Sequence, residues 1–308
     1  DLLRLTLVMD EAEAYRMAGQ LADADTVFAR ASAQMTAMGR DRTEKAGTLF
    51  NNWGLTLYLL GRPRNAEPVL RRALDIGSAD ADGASVSPMV VLNVARPVAE
   101  LGQLAEALEL TERAGADAVR LGHRVVEVQA MLLGATIRRE MGDPASAARL
   151  VAEFDALQRS RGLAEGHIAF AASAMEQSAA LEAQGELEGA LAAAERARAI
   201  AEASTQSPEV LPRAYRRLAG VHTAAGRAAD AVAAAERAVT LQQNFSSRDT
   251  PSSVLGRTYF TLGKALADAG RTDEARNAAA VAARHLEATL GSDHSEARAA
   301  QALLASLN

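Results

Sequence analysis

Residues 48–74, TLFNNWGLTLYLLGRPRNAEPVLRRAL, decide the fold. Phe50, Trp53, Leu57 and Leu60 follow i, i+3, i+7, i+10 spacing, which puts four large apolar side chains on one helix face. Gly61 comes directly after the last of them, where a helix end favours a residue that tolerates positive φ. A second helix is expected to fold back at once. Gly54, seven residues before the turn glycine, and Ala66, five after it, would then face each other across a tight helical hairpin.

The same arrangement recurs along the chain. Turn glycines stand at Gly19, Gly61, Gly102, Gly142, Gly185, Gly226 and Gly270, at spacings of 42, 41, 40, 43, 41 and 44 residues. Five residues after each comes alanine: Ala24, Ala66, Ala107, Ala147, Ala190, Ala231 and Ala275. Seven before each is another small residue, Ala12, Gly54, Ala95, Ala135, Ser178, Ala219 or Gly263. Eleven before, a bulky core anchor is expected at Val8, Phe50, Val91, Met131, Tyr215 and Tyr259, with Ala174 the weak member. A fixed period near 42 is the signature of a stacked helical-repeat array.

Composition agrees. Hydrophobic residues make up 49% of the 308 residues but aromatics only 4%, so a thick core of large side chains cannot be filled. Thin, alanine-rich helix contacts can be. A net charge of −6, from 33 Lys+Arg against 39 Asp+Glu, argues against a general nucleic-acid binder. The absence of cysteine removes disulfides, thiolate metal sites and cysteine nucleophiles. No signal peptide opens the chain, and the apolar runs at 171–174 and 278–283 are far shorter than the ~20 residues that span a bilayer. A cytoplasmic protein with no membrane contact is expected. A first residue that is Asp and not Met implies a piece of something longer.

Spacing, the small–glycine–alanine pattern and the segment 48–74 resemble tetratricopeptide repeats of the longer, about 42-residue type found in kinesin light chains and many bacterial proteins. Residues 286–307, LEATLGSDHSEARAAQALLASL, resemble the Leu-Gly-x-x-His link of that type, leading into a helix that caps the stack. The resemblance implies an all-α, right-handed superhelix: one solenoid over 1–308, with hairpins at 3–39, 44–78, 87–121, 124–161, 166–203, 210–243 and 252–290 and a capping helix at 294–307. Departures fall in the middle, where Gly134, Arg138, Phe154, Gln177 and Ser178 break the pattern, and at Pro97, which is expected to kink its helix. Second helices are expected to start at capping residues, as in Gly142-Asp143-Pro144 and Arg271-Thr272-Asp273-Glu274. Residues 77–88 and 243–251 read as links between hairpins.

No chemistry stands out. His123, His167, His222, His285 and His294 are scattered over different repeats without a metal-ligand spacing, and no nucleophile elbow or phosphate loop is present. No catalytic residue, metal or cofactor is expected. The charge runs Arg71-Arg72 and Glu195-Arg196 read as solvated outer-face residues, and the acidic pairs Asp23/Asp25 and Asp80/Asp82 as solubilising loop residues.

By the resemblance, the first helices line a concave groove. That implies a lining of Thr48, Asn51, Asn52, Leu55 and Tyr58; Leu92, Asn93 and Arg96; Gln129, Leu132, Thr136 and Arg139; Met175 and Glu176; then Arg213, Arg216, Arg217, Arg257, Phe260 and Lys264. Asn52 and Asn93 stand in register and are expected to hold a ligand's backbone, unless Asn51 and Asn52 simply belong to the family's asparagine-rich first-helix pattern and bind water. Arg213, Arg216, Arg217, Arg257 and Lys264 form an expected basic patch for an acidic peptide, unless neighbouring glutamates or solvent neutralise it. The partner expected is a protein or peptide, not nucleic acid. The alternative is a regulatory or sensor segment of a multidomain bacterial regulator, with a serine/threonine kinase or helix-turn-helix domain ahead of residue 1.

Overall fold

The computed structural model describes residues 2–79, 86–246 and 249–307. Among them are fifteen helices and no strand: α1 (Leu2–Met17), α2 (Leu21–Ala37), α3 (Glu44–Leu59), α4 (Pro63–Ala79), α5 (Pro88–Glu100), α6 (Leu104–Leu121), α7 (Arg124–Glu140), α8 (Pro144–Ser160), α9 (Ala169–Ala183), α10 (Leu187–Ala203), α11 (Val210–Ala224), α12 (Ala228–Gln242), α13 (Ser253–Asp268), α14 (Thr272–Leu290) and α15 (Ser295–Ser306). Odd-numbered helices up to α13 are the first helices of hairpins and even-numbered ones the second. These residues group into two compact units, 1–130 and 131–308, whose boundary falls inside α7. Asp80, Asp82 and the middle of both expected links lie outside the described residues.

All seven periodic glycines adopt positive φ, from 68° to 87°. The third turn shows why: the N–H of Gln103 reaches back to the carbonyl of Val98 and that of Gly102 to Ala99, closing α5 and reversing the chain in two residues. The hairpin contact then rests on small side chains. The seven alanines after the glycines are all at most 2% exposed. Ser178 Oγ donates a 2.7 Å hydrogen bond to the carbonyl of Ala190, so the two small positions do meet across the hairpin. A Cβ at Gly54 would sit 2.4 Å from Leu70 Cγ.

Of the expected anchors, Phe50, Val91, Ala174 and Tyr259 are buried, whereas Val8, Met131 and Tyr215 are half-buried. Phe154, placed where the repeat pattern has alanine, is packed at 2% exposure. Helix α5 runs through Pro97 and ends three residues later, making it shorter than α3 or α7.

Helix starts correct part of the sequence reading. Asp143 caps α8, accepting from Ser146 N at 3.0 Å. Thr272 and Asp273 do not cap α14; both lie inside it, and Asp273 and Glu274 instead pair with Arg276 and Arg271. Asp25 is not a loop residue but part of α2, where it accepts from Trp53 Nε1 and Arg62 Nη1, both at 2.8 Å. The outer-face arginines are not simply solvated either. Arg71 of α4 pairs with Glu67 and with Glu106 of α6, and Arg72 pairs with Asp41 while stacking 4.2 Å over Phe50. Arg196 of α10 pairs with Asp155 of α8 and Glu165 and faces the Phe170 ring.

Helix α15 covers the last hairpin. Ala297 and Ala300 are its buried contacts, and Leu303 and Leu304 are half-buried, so alanine spacing does more of the docking than the leucines expected to. His294 caps it, its Nδ1 accepting from Glu296 N at 3.2 Å.

Candidate functional site

In residues 1–130 the first helices share a polar ladder. Asn93 of α5 donates to Asn51 Oδ1 at 2.9 Å, Asn51 donates to Asn52 Oδ1 at 3.1 Å, and Asn52 donates to Glu13 of α1 at 3.3 Å. Arg16 closes the series on Glu13. The ladder uses the asparagines on one another: Asn93 is only 1% exposed and donates to Asn51, so it does not line an open surface as expected. Leu92 is fully buried, which also removes it from the lining. Arg96, half-buried, donates to Gln129 at 2.8 Å, and burial lowers its guanidinium pKa with Tyr58 opposing. Thr48 is exposed, and Leu55 and Tyr58 are half-buried.

In residues 131–308 the first helices carry charge instead. Arg139 of α7 pairs with Glu140 at 3.4 Å and with Glu176 of α9 at 3.6 Å. Arg217 of α11 pairs with Glu182 of α9, and Arg257 of α13 with Glu296 of α15 at 2.7 Å. Two of the five patch cations are thereby neutralised within the chain. Arg213 and Lys264 are exposed and have no ion-pair partner among the described residues. Met175 is buried, contrary to the expected lining, while Leu132, Thr136 and Phe260 are half-buried.

Electrostatics show how crowded this face is. Burial pulls Arg217 down to about 10, with Arg139 adding repulsion and Glu176 opposing it, so the group stays charged at neutral pH. Burial pushes Glu140 above the ordinary carboxylate value; Arg139 and Arg257 pull it back, and Glu176 and Glu296 raise it further. Glu140 keeps 41% of its side chain exposed, so its carboxyl is both reachable by solvent and hemmed in by protein. Side chains from α7, α9, α13 and α15 thus act on one carboxyl.

Sequence reasoning named the cations but passed over Glu13, Glu140, Glu182 and Glu296. Repeat register held the signal. Arg139 and Glu182 each stand three residues before a turn glycine, the position of Tyr58; Glu176 and Arg217 stand nine before, the position of Asn52 and Asn93. Reading each position across all repeats brings opposite charges side by side on neighbouring helices.

The histidines stand on different helices and links, and His222, in α11, is buried. His123 and His167 are exposed, His294 is a cap, and buried His285 accepts from Ser252 N at 3.2 Å beside the start of α13. No group of three metal-ligating side chains occurs among the described residues, and none of their helices is long and apolar enough to cross a membrane.

Known structures share the fold of stacked helical hairpins. The quorum sensor NprR from B. thuringiensis, in its apo form, is 11% identical and superposes with a TM-score of 0.62 over 98% of this chain and 87% of its own. A tetratricopeptide repeat protein from Parabacteroides merdae is 13% identical, with a TM-score of 0.56 over 98% of both chains. The chain has the tetratricopeptide-repeat fold. A Rap protein complexed with Competence and Sporulation Factor shares it at 13% identity, with a TM-score of 0.58 over 100% of this chain and 98% of its own. No family model and no curated protein sequence matches the tetratricopeptide hairpins of this chain.

Proposed function

We propose that the chain is a protein-interaction module, without catalysis of its own, that holds a partly acidic peptide segment against the first-helix face of residues 131–308. The observation that carries this is the pair of exposed cations, Arg213 and Lys264, which lack ion-pair partners among the described residues and lie on the helices that also bear Arg217 and Arg257. In a chain of net charge −6, a local excess of positive charge on one face attracts carboxylates. The tetratricopeptide fold supports the reading: among proteins that share it are a Rap protein complexed with Competence and Sporulation Factor and a quorum sensor. A second reading, in which this segment is the sensor of a longer regulator, draws on a signal transduction ATPase with a tetratricopeptide repeat sensor from Pyrococcus horikoshii, 12% identical, with a TM-score of 0.55 over 92% of this chain and 43% of its own; the full-length gene distinguishes the two.

The test is titration of an acidic ten-residue peptide against wild type, an Arg213→Ala/Lys264→Ala variant and an Arg149→Ala/Arg237→Ala control. Arg149 and Arg237 are exposed on the second helices α8 and α12. Affinity should drop in the first variant alone and weaken as salt rises, since exposed charges are screened over about 8 Å at physiological ionic strength. Equal losses in both variants would remove the assignment of the face.

A further inference from the structure

The position six residues before the turn glycine is occupied by Ala179 in α9 and Gly220 in α11. A Cβ on Gly220 would meet one atom within 4 Å, Nη2 of Arg217 at 3.8 Å, and that same nitrogen is the one paired with Glu182. The guanidinium therefore lies over bare backbone, with nothing else close above Gly220 and with Glu182 at one side. The second pair, Arg139 with Glu176, adjoins it: both of its members act electrostatically on Arg217. All four side chains are half-buried, with exposures between 20% and 30%. Nε of Arg139 and Nε of Arg217 are buried and donate no hydrogen bond.

This geometry sets the chemistry of what can bind. A ligand that brings only carboxylates competes with Glu182 for Arg217 and, where it wins, leaves Glu182 in a half-desolvated place without a counter-charge. A ligand that brings only cations strands Arg217 in the same way. One that brings both signs close together replaces each half of the pair it opens. Resting on the reading of this face as a peptide-binding surface, we propose that the paired charges beside Gly220 recognise an extended segment of mixed charge. Such a segment carries a carboxylate and a lysine or arginine two residues apart, and it binds by exchange with the Arg217–Glu182 and Arg139–Glu176 pairs. Alternate residues of an extended strand point the same way and stand about 7 Å apart, a spacing suited to neighbouring opposite charges. The selectivity comes from the chain's own glutamates, which penalise a purely acidic ligand.

Fluorescence anisotropy with four labelled ten-residue peptides tests this on the full chain: one with a Glu-x-Lys core, one Glu-x-Glu, one Lys-x-Lys and one Ser-x-Ser. The mixed peptide should bind about tenfold more tightly than the acidic one, a modest specificity of the size charge complementarity supplies. Glu182→Gln should reverse the order, because it releases Arg217 for the acidic peptide and removes the partner of the lysine. Gly220→Leu should abolish binding, with circular dichroism reporting that the variant remains helical; if the leucine variant unfolds, the Glu182→Gln reversal decides. Equal or tighter binding of the acidic peptide to wild type, or no reversal in Glu182→Gln, overturns the exchange mechanism. If acidic binding then still depends on Arg213 and Lys264, the face assignment survives. Binding of none of the peptides overturns both.

Discussion

Gly54 and Gly220 occupy the interiors of two first helices, yet replacing each by alanine should have opposite effects. Alanine in a helix interior is favoured over glycine by about 1 kcal/mol. At Gly220 nothing opposes that gain, because the new methyl would meet only the far end of Arg217 at 3.8 Å, an ordinary contact. Stabilisation of about 0.5–1 kcal/mol is expected there. At Gly54 the methyl would lie 2.4 Å and 2.8 Å from Leu70 Cγ and Cδ2 and 3.2 Å from the Leu70 backbone nitrogen. Leu70 is itself fully buried, so its side chain has no open space to swing into, and α3 and α4 must separate. Overpacking of this kind costs about 1–3 kcal/mol, which against a propensity gain of about 1 kcal/mol leaves a net loss centred near 1 kcal/mol. A repeat array need not unfold in one step, so the assay is local: amide hydrogen exchange in α3–α4 for one variant and α11–α12 for the other. Exchange should quicken several-fold in the first and slow several-fold in the second, at about tenfold per 1.4 kcal/mol. Shifts of the same sign at both sites would refute the packing argument.

Ala107→Leu and Ala231→Leu should each destabilise by roughly 1–3 kcal/mol, since both alanines are fully buried in the hairpin contact; thermal melts identical to wild type would count against the repeat register. Removing residues from Gly291 onward should loosen α13 and α14 or cause aggregation, checked by circular dichroism and light scattering, because α15 shields the last hairpin. His294→Ala should lower stability by about 1 kcal/mol through loss of the α15 cap, read as faster exchange at Glu296. For Glu140, burial raises the folded pKa above the unfolded value, so the folded state binds more protons in the window just above the ordinary carboxylate range. Its contribution therefore falls as pH rises through that window. Glu140→Gln should flatten the melting temperature against pH there, and an unchanged slope would contradict the assigned burial.

The hairpins were legible because their constraint is steric and local. A turn of two residues demands positive φ at one site, and close helices demand small residues at fixed distances from it, so the pattern survives even where Ser178 replaces alanine. The site was less legible. Asn93 and Arg217 were correctly seen as polar groups on first helices, but what neutralises them comes from other repeats: Asn51 lies 42 residues away and Glu182 lies 35 away. The burial of Leu92 and Met175 was missed for a similar reason, because packing between successive first helices depends on how close they approach, and one repeat's sequence does not specify that. Arg71 and Arg196 looked solvated only while each was considered within its own helix.

Those second-helix arginines have a consequence for how the chain comes apart. Arg71 joins α4 to α6, Arg196 joins α10 to α8, and Arg271, the residue just before α14, pairs with Glu236 of α12, each tying one hairpin to its neighbour. In a linear array the sharpness of melting depends on coupling between adjacent repeats more than on the stability of each. Here part of that coupling is ionic and partly exposed, so dissolved salt weakens it while leaving the alanine contacts inside each hairpin intact. Ionic strength should therefore tune cooperativity: neighbouring hairpins are expected to melt more nearly together in dilute buffer and more nearly one by one in concentrated salt.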